Sequence, residues 1–232
     1  MNFFIRLIRS IAFYVGFYGG STLIVFAAFV SIAISRNALQ RSVRAWSNWH
    51  RWCVNVLLGI DVKIEGNLSS GPALYAVKHE SMFEAIDAPT LFHLPSVFAK
   101  SELFTIPGWG RSALRYGLIP VERGQGAKTL RNMLKHAKAR VAENRPLVIF
   151  PEGTRIEVGD KPPLLSGFAG LYKLIGLPVI PIAVDSGRLY HHLVKKPGTI
   201  TYYVGEAIPP GLPRDEVEQR VHAAMNAFNT GT

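Results

Sequence analysis

The residues best suited to acid–base chemistry stand close together in the segment Lys78-His79-Glu80-Ser81-Met82-Phe83-Glu84. A carboxylate that contacts one imidazole nitrogen fixes the tautomer and stabilises the imidazolium, so that the other nitrogen can take a proton from an alcohol. The spacing therefore predicts that Glu84 orients His79. Asp87 is an alternative carboxylate, and a surface histidine beside a solvated glutamate would produce the same local sequence.

Two further segments end in arginine, at Arg123 and at Arg155. A guanidinium group can hold two phosphate oxygens at once, so both arginines are candidate phosphate ligands. A solvated surface charge is the alternative interpretation for either of them alone. The turn around Pro151 and Gly153 is suited to bringing a backbone amide close to a substrate.

These residues follow short apolar runs that predict β-strands. The predicted strands are residues 73–77, 96–99, 118–122, 147–150, 179–184 and 199–204, and the predicted helices are residues 81–92, 126–143, 167–175 and 214–229. Strands that alternate with helices predict an α/β fold with a mixed, largely parallel sheet flanked by helices. Ligands of such sheets bind beyond the carboxyl ends of the strands, where the candidate residues stand.

The first third of the chain contains a long apolar segment, because residues 10–35 carry no charge and Arg9 and Arg36 flank them. As a helix this segment would be about 39 Å long, whereas the hydrocarbon core of a bilayer is about 30 Å thick. It is too long for the core of a cleaved signal peptide. A single spanning helix and the first arm of a helical hairpin, with residues 41–60 as the second arm, both remain open. We expect residues 1–60 to form membrane-anchoring helices and residues 61–232 to form the α/β domain.

The composition supports a membrane partner. The chain has 232 residues, a net charge of +10 and 48% hydrophobic residues. This charge favours an anionic partner, and the apolar N-terminal segment indicates membrane lipids rather than nucleic acid. The single cysteine excludes an internal disulfide, and the scattered histidines predict no metal site.

Four blocks in order resemble the glycerolipid acyltransferase family, and most of all its 1-acylglycerol-3-phosphate acyltransferase branch. The blocks are His79-x4-Glu84, residues 117–123, Phe150-Pro151-Glu152-Gly153-Thr154-Arg155 and Val179-Ile180-Pro181-Ile182, and the resemblance covers residues 71–206. The chain departs from the family in three places. Glu84 stands where the family has aspartate, Lys78 stands where asparagine is common, and the segment before Gly167 lacks the usual lysines.

The resemblance implies that His79 and Glu84 are catalytic and that His79 takes the proton of the sn-2 hydroxyl of lysophosphatidic acid. The acyl donor would be acyl-CoA or acyl carrier protein, a substrate rather than a cofactor, and no metal is expected. Arg123 and Arg155 would hold the phosphate, Glu152 would orient these arginines or the glycerol, and Lys100 or the Gly153 amide would stabilise the oxyanion. The implied substrate-binding set is Lys100, Arg123, Glu152, Gly153, Thr154 and Arg155.

The expected partners are the lysophospholipid, the acyl donor and membrane lipids, and the expected location is a bacterial inner membrane with the catalytic domain on the cytoplasmic face. Three alternatives remain. The first is the same chemistry on another lyso-lipid, such as a lyso-ornithine lipid. The second is a non-catalytic membrane protein that binds anionic lipid. The third is a hydrolase, which would need a nucleophile that the sequence does not display.

Overall fold

A computed structural model describes residues 2–69, 71–122 and 126–229, without the side chains of residues 29–34. The sheet has seven strands, in the spatial order β1-β7-β6-β2-β5-β3-β4. The strands are β1 (Ile60–Glu65), β2 (Leu74–Val77), β3 (Ser96–Lys100), β4 (Ile119–Val121), β5 (Leu147–Ile149), β6 (Val179–Val184) and β7 (Gly198–Val204). Neighbouring strands are parallel except at the β6–β7 pair, which is antiparallel. The predicted mixed, largely parallel α/β fold is confirmed.

Helices cover both faces of the sheet. They are α1 (Phe3–Ile34), α2 (Arg36–Cys53), α3 (Phe83–Leu91), α4 (Trp109–Tyr116), α5 (Gly126–Ala142), α6 (Ser166–Ile175), α7 (Gly187–Tyr190) and α8 (Arg214–Met225), with a π-helix at Val54–Leu58 and 3-10 helices at Ser101–Thr105 and Ala227–Asn229. One apolar core joins α1, α2 and α3 to one face, and a second core joins α5, α6 and α8 to the other. The consecutive β2 residues Leu74 and Tyr75 belong to opposite cores, because successive side chains of a strand point to opposite faces of the sheet.

The structure differs from the sequence-based expectation at several elements. β1 was not predicted, although Ile60, Val62 and Ile64 alternate with polar residues. The helices α4 and α7 were also missed, and the predicted helix at residues 214–229 ends at Met225, before a separate 3-10 turn. Each missed helix is only four to eight residues long, too short for a 3.6-residue apolar period to stand out.

α1 and α2 pack together as a hairpin that turns at Ser35, whose side chain caps α2 by accepting a hydrogen bond from the amide of Ala38 at 3.1 Å. The second arm is α2 and the π-helix, so it begins five residues before the predicted 41–60. Residues 3–28 of α1 are long and apolar enough to cross a membrane.

The start of α1 and the hairpin turn after its end both lie against the α/β body. Near its start, the hydroxyl of Ser10 accepts from the amide of Lys195 at 2.9 Å, and Phe13 is buried in the core beside α3. Just beyond its end, Arg36 forms an ion pair with Glu143 at 2.5 Å. The helix therefore lies along the body instead of projecting from it.

Candidate active site

His79 and Glu84 are brought together at the carboxyl end of β2. His79 follows the strand by two residues, Glu84 lies in the first turn of α3, and His79 Nδ1 lies 3.3 Å from Glu84 Oε2. The alternative carboxylate, Asp87, is turned away, because it pairs with Arg51 and accepts from the hydroxyl of Tyr202 at 3.1 Å. Glu84, which the spacing in the sequence favoured over Asp87, is thus the carboxylate that contacts the imidazole.

The Glu84 carboxylate is buried and held by further donors. The amide of Ser81 donates to Oε2 at 3.2 Å, and the hydroxyl of Ser186 donates to Oε1. Ser186 lies in the loop after β6, and sequence reasoning missed it. The signal was available, since Asp185-Ser186 directly follows an apolar strand at the same sheet edge.

The segment after β5 holds His79 through its backbone and its ring. The amide of His79 donates to Glu152 Oε2 at 3.3 Å, and the carbonyl of His79 accepts from the amide of Ile156 at 2.7 Å. The imidazole stacks on the ring of Phe150 with 4.2 Å between centroids. The histidine and the Phe-Pro-Glu-Gly-Thr-Arg block therefore form one rigid unit.

Glu152 is buried, and its partners differ from those expected. Its Oε1 accepts from Lys78 Nζ at 2.6 Å, while its Oε2 faces the amide of His79. Lys78 is itself only 1% exposed and also donates to the carbonyl of Asp160 and to Asn226 Oδ1, both at 2.9 Å. The expectation that Glu152 orients the arginines or the glycerol is thus replaced by an internal ion pair, because a buried ammonium group needs a buried counter-charge.

The Gly153 amide, one of two expected oxyanion donors, is engaged in a turn. Gly153 has a φ of +71°, which favours glycine, and its amide donates to the carbonyl of Phe150 at 2.9 Å. Lys100, the other expected donor, is exposed at the carboxyl end of β3. The geometry therefore favours Lys100 of these two.

Of the two arginines expected to bind the phosphate, one lies among the described residues. Arg155 and Thr154 are exposed in the loop that follows β5, next to the Ile156 amide that contacts His79. Arg123 lies outside the described residues. The exposed guanidinium of Arg155 is thus on the same sheet edge as the histidine.

A second buried carboxylate, Glu80, lies beside the pair. Its Oε2 accepts from the amide of Gly187 at 3.0 Å. Burial raises the pKa of Glu80 to about 7, the Gly187 amide opposes this rise, and the nearby charge of Glu84 adds to it.

The arrangement fits general-base chemistry. The Nδ1 of His79 faces a fixed carboxylate, and its Nε2 forms no hydrogen bond with any residue that the structure describes. That nitrogen is thus available to a hydroxyl group. Across residues 2–69, 71–122 and 126–229, no group of three or more His, Cys, Asp or Glu side chains is arranged to hold a metal ion.

The model of a protein family described as Acyltransferase matches residues 59–185, which include His79, Glu84 and the loop after β5, whereas Ser186 lies one residue beyond the match. The chain belongs to the acyltransferase family. It is 31% identical to the 1-acyl-sn-glycerol-3-phosphate acyltransferase of Pseudomonas aeruginosa over 215 residues, which are 88% of this chain and 82% of the relative. It is 27% identical to the enzyme of the same name from Escherichia coli over 137 residues, which are 54% of this chain and 55% of that relative.

The acyltransferase fold is also seen in a crystal structure, that of the 1-acyl-sn-glycerophosphate acyltransferase PlsC from Thermotoga maritima. The TM-score is 0.69 at 21% sequence identity, and the match covers 98% of this chain and 97% of the other. The likeness extends over the N-terminal hairpin as well as the sheet.

Proposed function

We propose that this acyltransferase is a 1-acylglycerol-3-phosphate O-acyltransferase. It would transfer a fatty acyl chain from acyl-CoA or acyl carrier protein to the sn-2 hydroxyl of 1-acyl-glycerol-3-phosphate and so form phosphatidic acid. The observation that carries the proposal is the 3.3 Å contact between His79 Nδ1 and Glu84 Oε2, within a unit that includes the Arg155 loop. The names of the relatives supply the substrate class.

His79 acts first as a base and then as an acid. Its Nε2 takes the proton of the sn-2 hydroxyl, and the alkoxide oxygen forms a bond to the thioester carbonyl carbon. The C–S bond of the tetrahedral intermediate then breaks, and the imidazolium returns its proton to the departing thiolate. Glu84 stabilises the imidazolium between these two transfers and keeps Nδ1 protonated.

The charged residues around His79 divide the remaining tasks. Lys100 is the proposed donor to the oxyanion, a contact worth about 3 kcal/mol in other acyl-transfer sites. Arg155 and Arg123 are the proposed phosphate ligands, because a guanidinium group matches the geometry of a phosphate. Thr154 is a further candidate for contact with the head group.

The proposed location is the cytoplasmic face of a bacterial inner membrane, because acyl-CoA and acyl carrier protein are cytoplasmic. α1 is the proposed anchor. Its outward side chains Phe4, Ile8, Ile11, Val15 and Tyr18 are exposed at helical spacing. Since the start of α1 and the hairpin turn after its end both lie against the body, we infer that the helix lies in the plane of one leaflet.

The decisive experiment compares acyl transfer by membranes that contain the wild type or His79→Ala. The donors are labelled acyl-CoA and acyl carrier protein, and the acceptors are lysophosphatidic acid and a lyso-lipid without phosphate. We expect His79→Ala to retain less than about a hundredth of the wild-type rate, since general-base catalysis commonly contributes this much. A wild type that prefers the phosphate-free acceptor would refute the proposed substrate, and an active His79→Ala enzyme would refute the proposed base.

Arg155→Lys tests phosphate recognition within the same assay. Lysine keeps the charge but loses the planar pair of donors, so kcat/KM for lysophosphatidic acid should fall by roughly tenfold, the worth of about one charge-assisted hydrogen bond. Arg188→Lys, in α7, is the control and should change little. Wild-type kinetics for Arg155→Lys would remove the residue from the phosphate site.

A further inference from the structure

A basic pocket lies at the edge of the sheet that faces away from the candidate active site. Its volume is about 310 Å³. α2 contributes Asn37, Gln40, Arg41 and Arg44 to it, and the opposite wall includes His93 and Tyr116. None of the described residues that line this basic pocket is acidic, so the pocket is suited to an anion.

The four α2 residues follow the spacing i, i+3, i+4 and i+7, which places them on one side of the helix. Buried residues of α2, among them Leu39 and Cys53, occupy the other side. The four residues thus form the polar side of an amphipathic helix, and this side lines the wall of the pocket.

Arg41 and Arg44 differ from the arginines around them in having no carboxylate partner among the described residues. Arg36 and Arg140 share Glu143, whereas Arg41 only approaches the carbonyl of Asn37 at 3.5 Å. Both side chains are exposed. Two unpaired guanidinium groups separated by one helical turn can hold an anion between them.

The basic pocket is distinct from the site around His79. His93 precedes β3 and Tyr116 precedes β4, so both stand at the amino ends of parallel strands. His79 follows the carboxyl end of β2, which is parallel to the same sheet. Strands of three to five residues separate the two edges by roughly 10–17 Å at about 3.3 Å per residue.

The pocket adjoins the proposed anchor. The hairpin turns at Ser35, two residues before Asn37, and the half of α1 that approaches this turn exposes Leu23, Val25 and Phe26. Lipid phosphates lie just outside the hydrocarbon layer, at the level that long arginine side chains reach from an apolar anchor. The anions that the basic pocket would meet beside the anchor are therefore the phosphates of the membrane surface.

We propose that the basic pocket binds the phosphate of an anionic membrane lipid and holds the enzyme on membranes that carry such lipids. This inference rests on the membrane placement proposed above and does not depend on the acyl-transfer reaction. The lipid would be a non-reacting ligand, because the pocket and the candidate base lie at opposite edges of the sheet.

The test measures binding of the full-length protein to vesicles of phosphatidylcholine alone and of phosphatidylcholine with phosphatidylglycerol, without an acyl donor. The variant is Arg41→Gln with Arg44→Gln, and the control is Arg214→Gln with Arg220→Gln, an equal loss of charge from the exposed face of α8. An arginine near an anionic surface contributes about 1 kcal/mol, so the pocket variant should lose roughly thirtyfold of the affinity for anionic vesicles.

The control should stay within about twofold of the wild type, and all proteins should bind neutral vesicles alike. Equal losses in both double variants would show diffuse attraction and overturn the proposal, as would an unchanged pocket variant. A further measurement adds free glycerol 3-phosphate to the vesicles at matched ionic strength. If this compound abolishes the increase in affinity that phosphatidylglycerol produces, the pocket binds a soluble phosphate and the lipid assignment is wrong. A separate assay of acyl transfer in detergent micelles detects failure of the proposed function, which leaves the vesicle result unaffected.

Discussion

Lys78→Met is the substitution whose effect the structure specifies most fully. The change removes an ammonium group that is only 1% exposed and that lies 2.6 Å from Glu152 Oε1. Methionine has a similar length, so little space is left empty. The buried Glu152 carboxylate, the carbonyl of Asp160 and the amide oxygen of Asn226 would all lose a donor.

Removal of one partner from a buried ion pair costs about 3–5 kcal/mol of unfolding free energy, because the other charge stays buried without compensation. For a chain of this length, such a loss lowers the Tm by on the order of 10 °C. The rate should also fall, since Glu152 accepts from the amide of His79 and would adjust its position once it is unpaired.

The assay is thermal unfolding in detergent, followed by tryptophan fluorescence, with acyl transfer measured in parallel. Lys63→Met is the matched control, because Lys63 also pairs with a glutamate, Glu65, at 2.7 Å, but with 63% of its side chain exposed. An exposed pair is worth about 0–1 kcal/mol, so the control should lose only a few degrees. Lys78→Met with Glu152→Gln should be more stable than Lys78→Met alone. Equal Tm values for the two single variants would refute the reasoning.

Three further outcomes are expected. Glu84→Gln should lower kcat strongly and Glu84→Asp less so in steady-state assays, whereas a greater loss in Asp87→Asn would identify the wrong carboxylate. Ser186→Ala should lower kcat by about tenfold with KM little changed, because it removes one donor from Glu84, and unaltered kinetics would contradict this role. The raised pKa of Glu80 destabilises the ionised folded state by roughly 3 kcal/mol, so stability should fall as the pH rises from 4.5 to 7, and Glu80→Gln should remove this dependence in melting curves at several pH values.

Much of the sheet was predictable because its central strands are buried on both faces. The run from Val179 to Val184 is apolar throughout and was assigned with its observed bounds. β1 was missed because only its alternate residues are apolar, which is a weaker signal than a continuous apolar run. The reversed direction of β7 could not be read from the sequence, since the apolar pattern of a strand is the same in either direction.

The candidate active site likewise contains residues that the sequence could identify and residues that it could not. His79 and Glu84 were identifiable because they are five positions apart in the sequence and a helix begins between them. The burial of Lys78 could not be anticipated, because lysine is normally exposed and its partners Glu152 and Asn226 are 74 and 148 residues distant. Local spacing identifies contacts within one turn, whereas contacts between loops depend on the completed sheet.

The direct connection between α2 and the sheet has a consequence for how the enzyme would meet its substrate. α2, the π-helix, Gly59 and β1 follow one another with a single residue as the joint, and Gly59 takes a φ of +68° against the Arg9 side chain. A joint of one residue would set the height of His79 above the hydrocarbon layer. The lyso-lipid would then have to reach the base by partial withdrawal from its leaflet, and acceptors with shorter acyl chains would leave the bilayer more cheaply by about 0.8 kcal/mol for each methylene group.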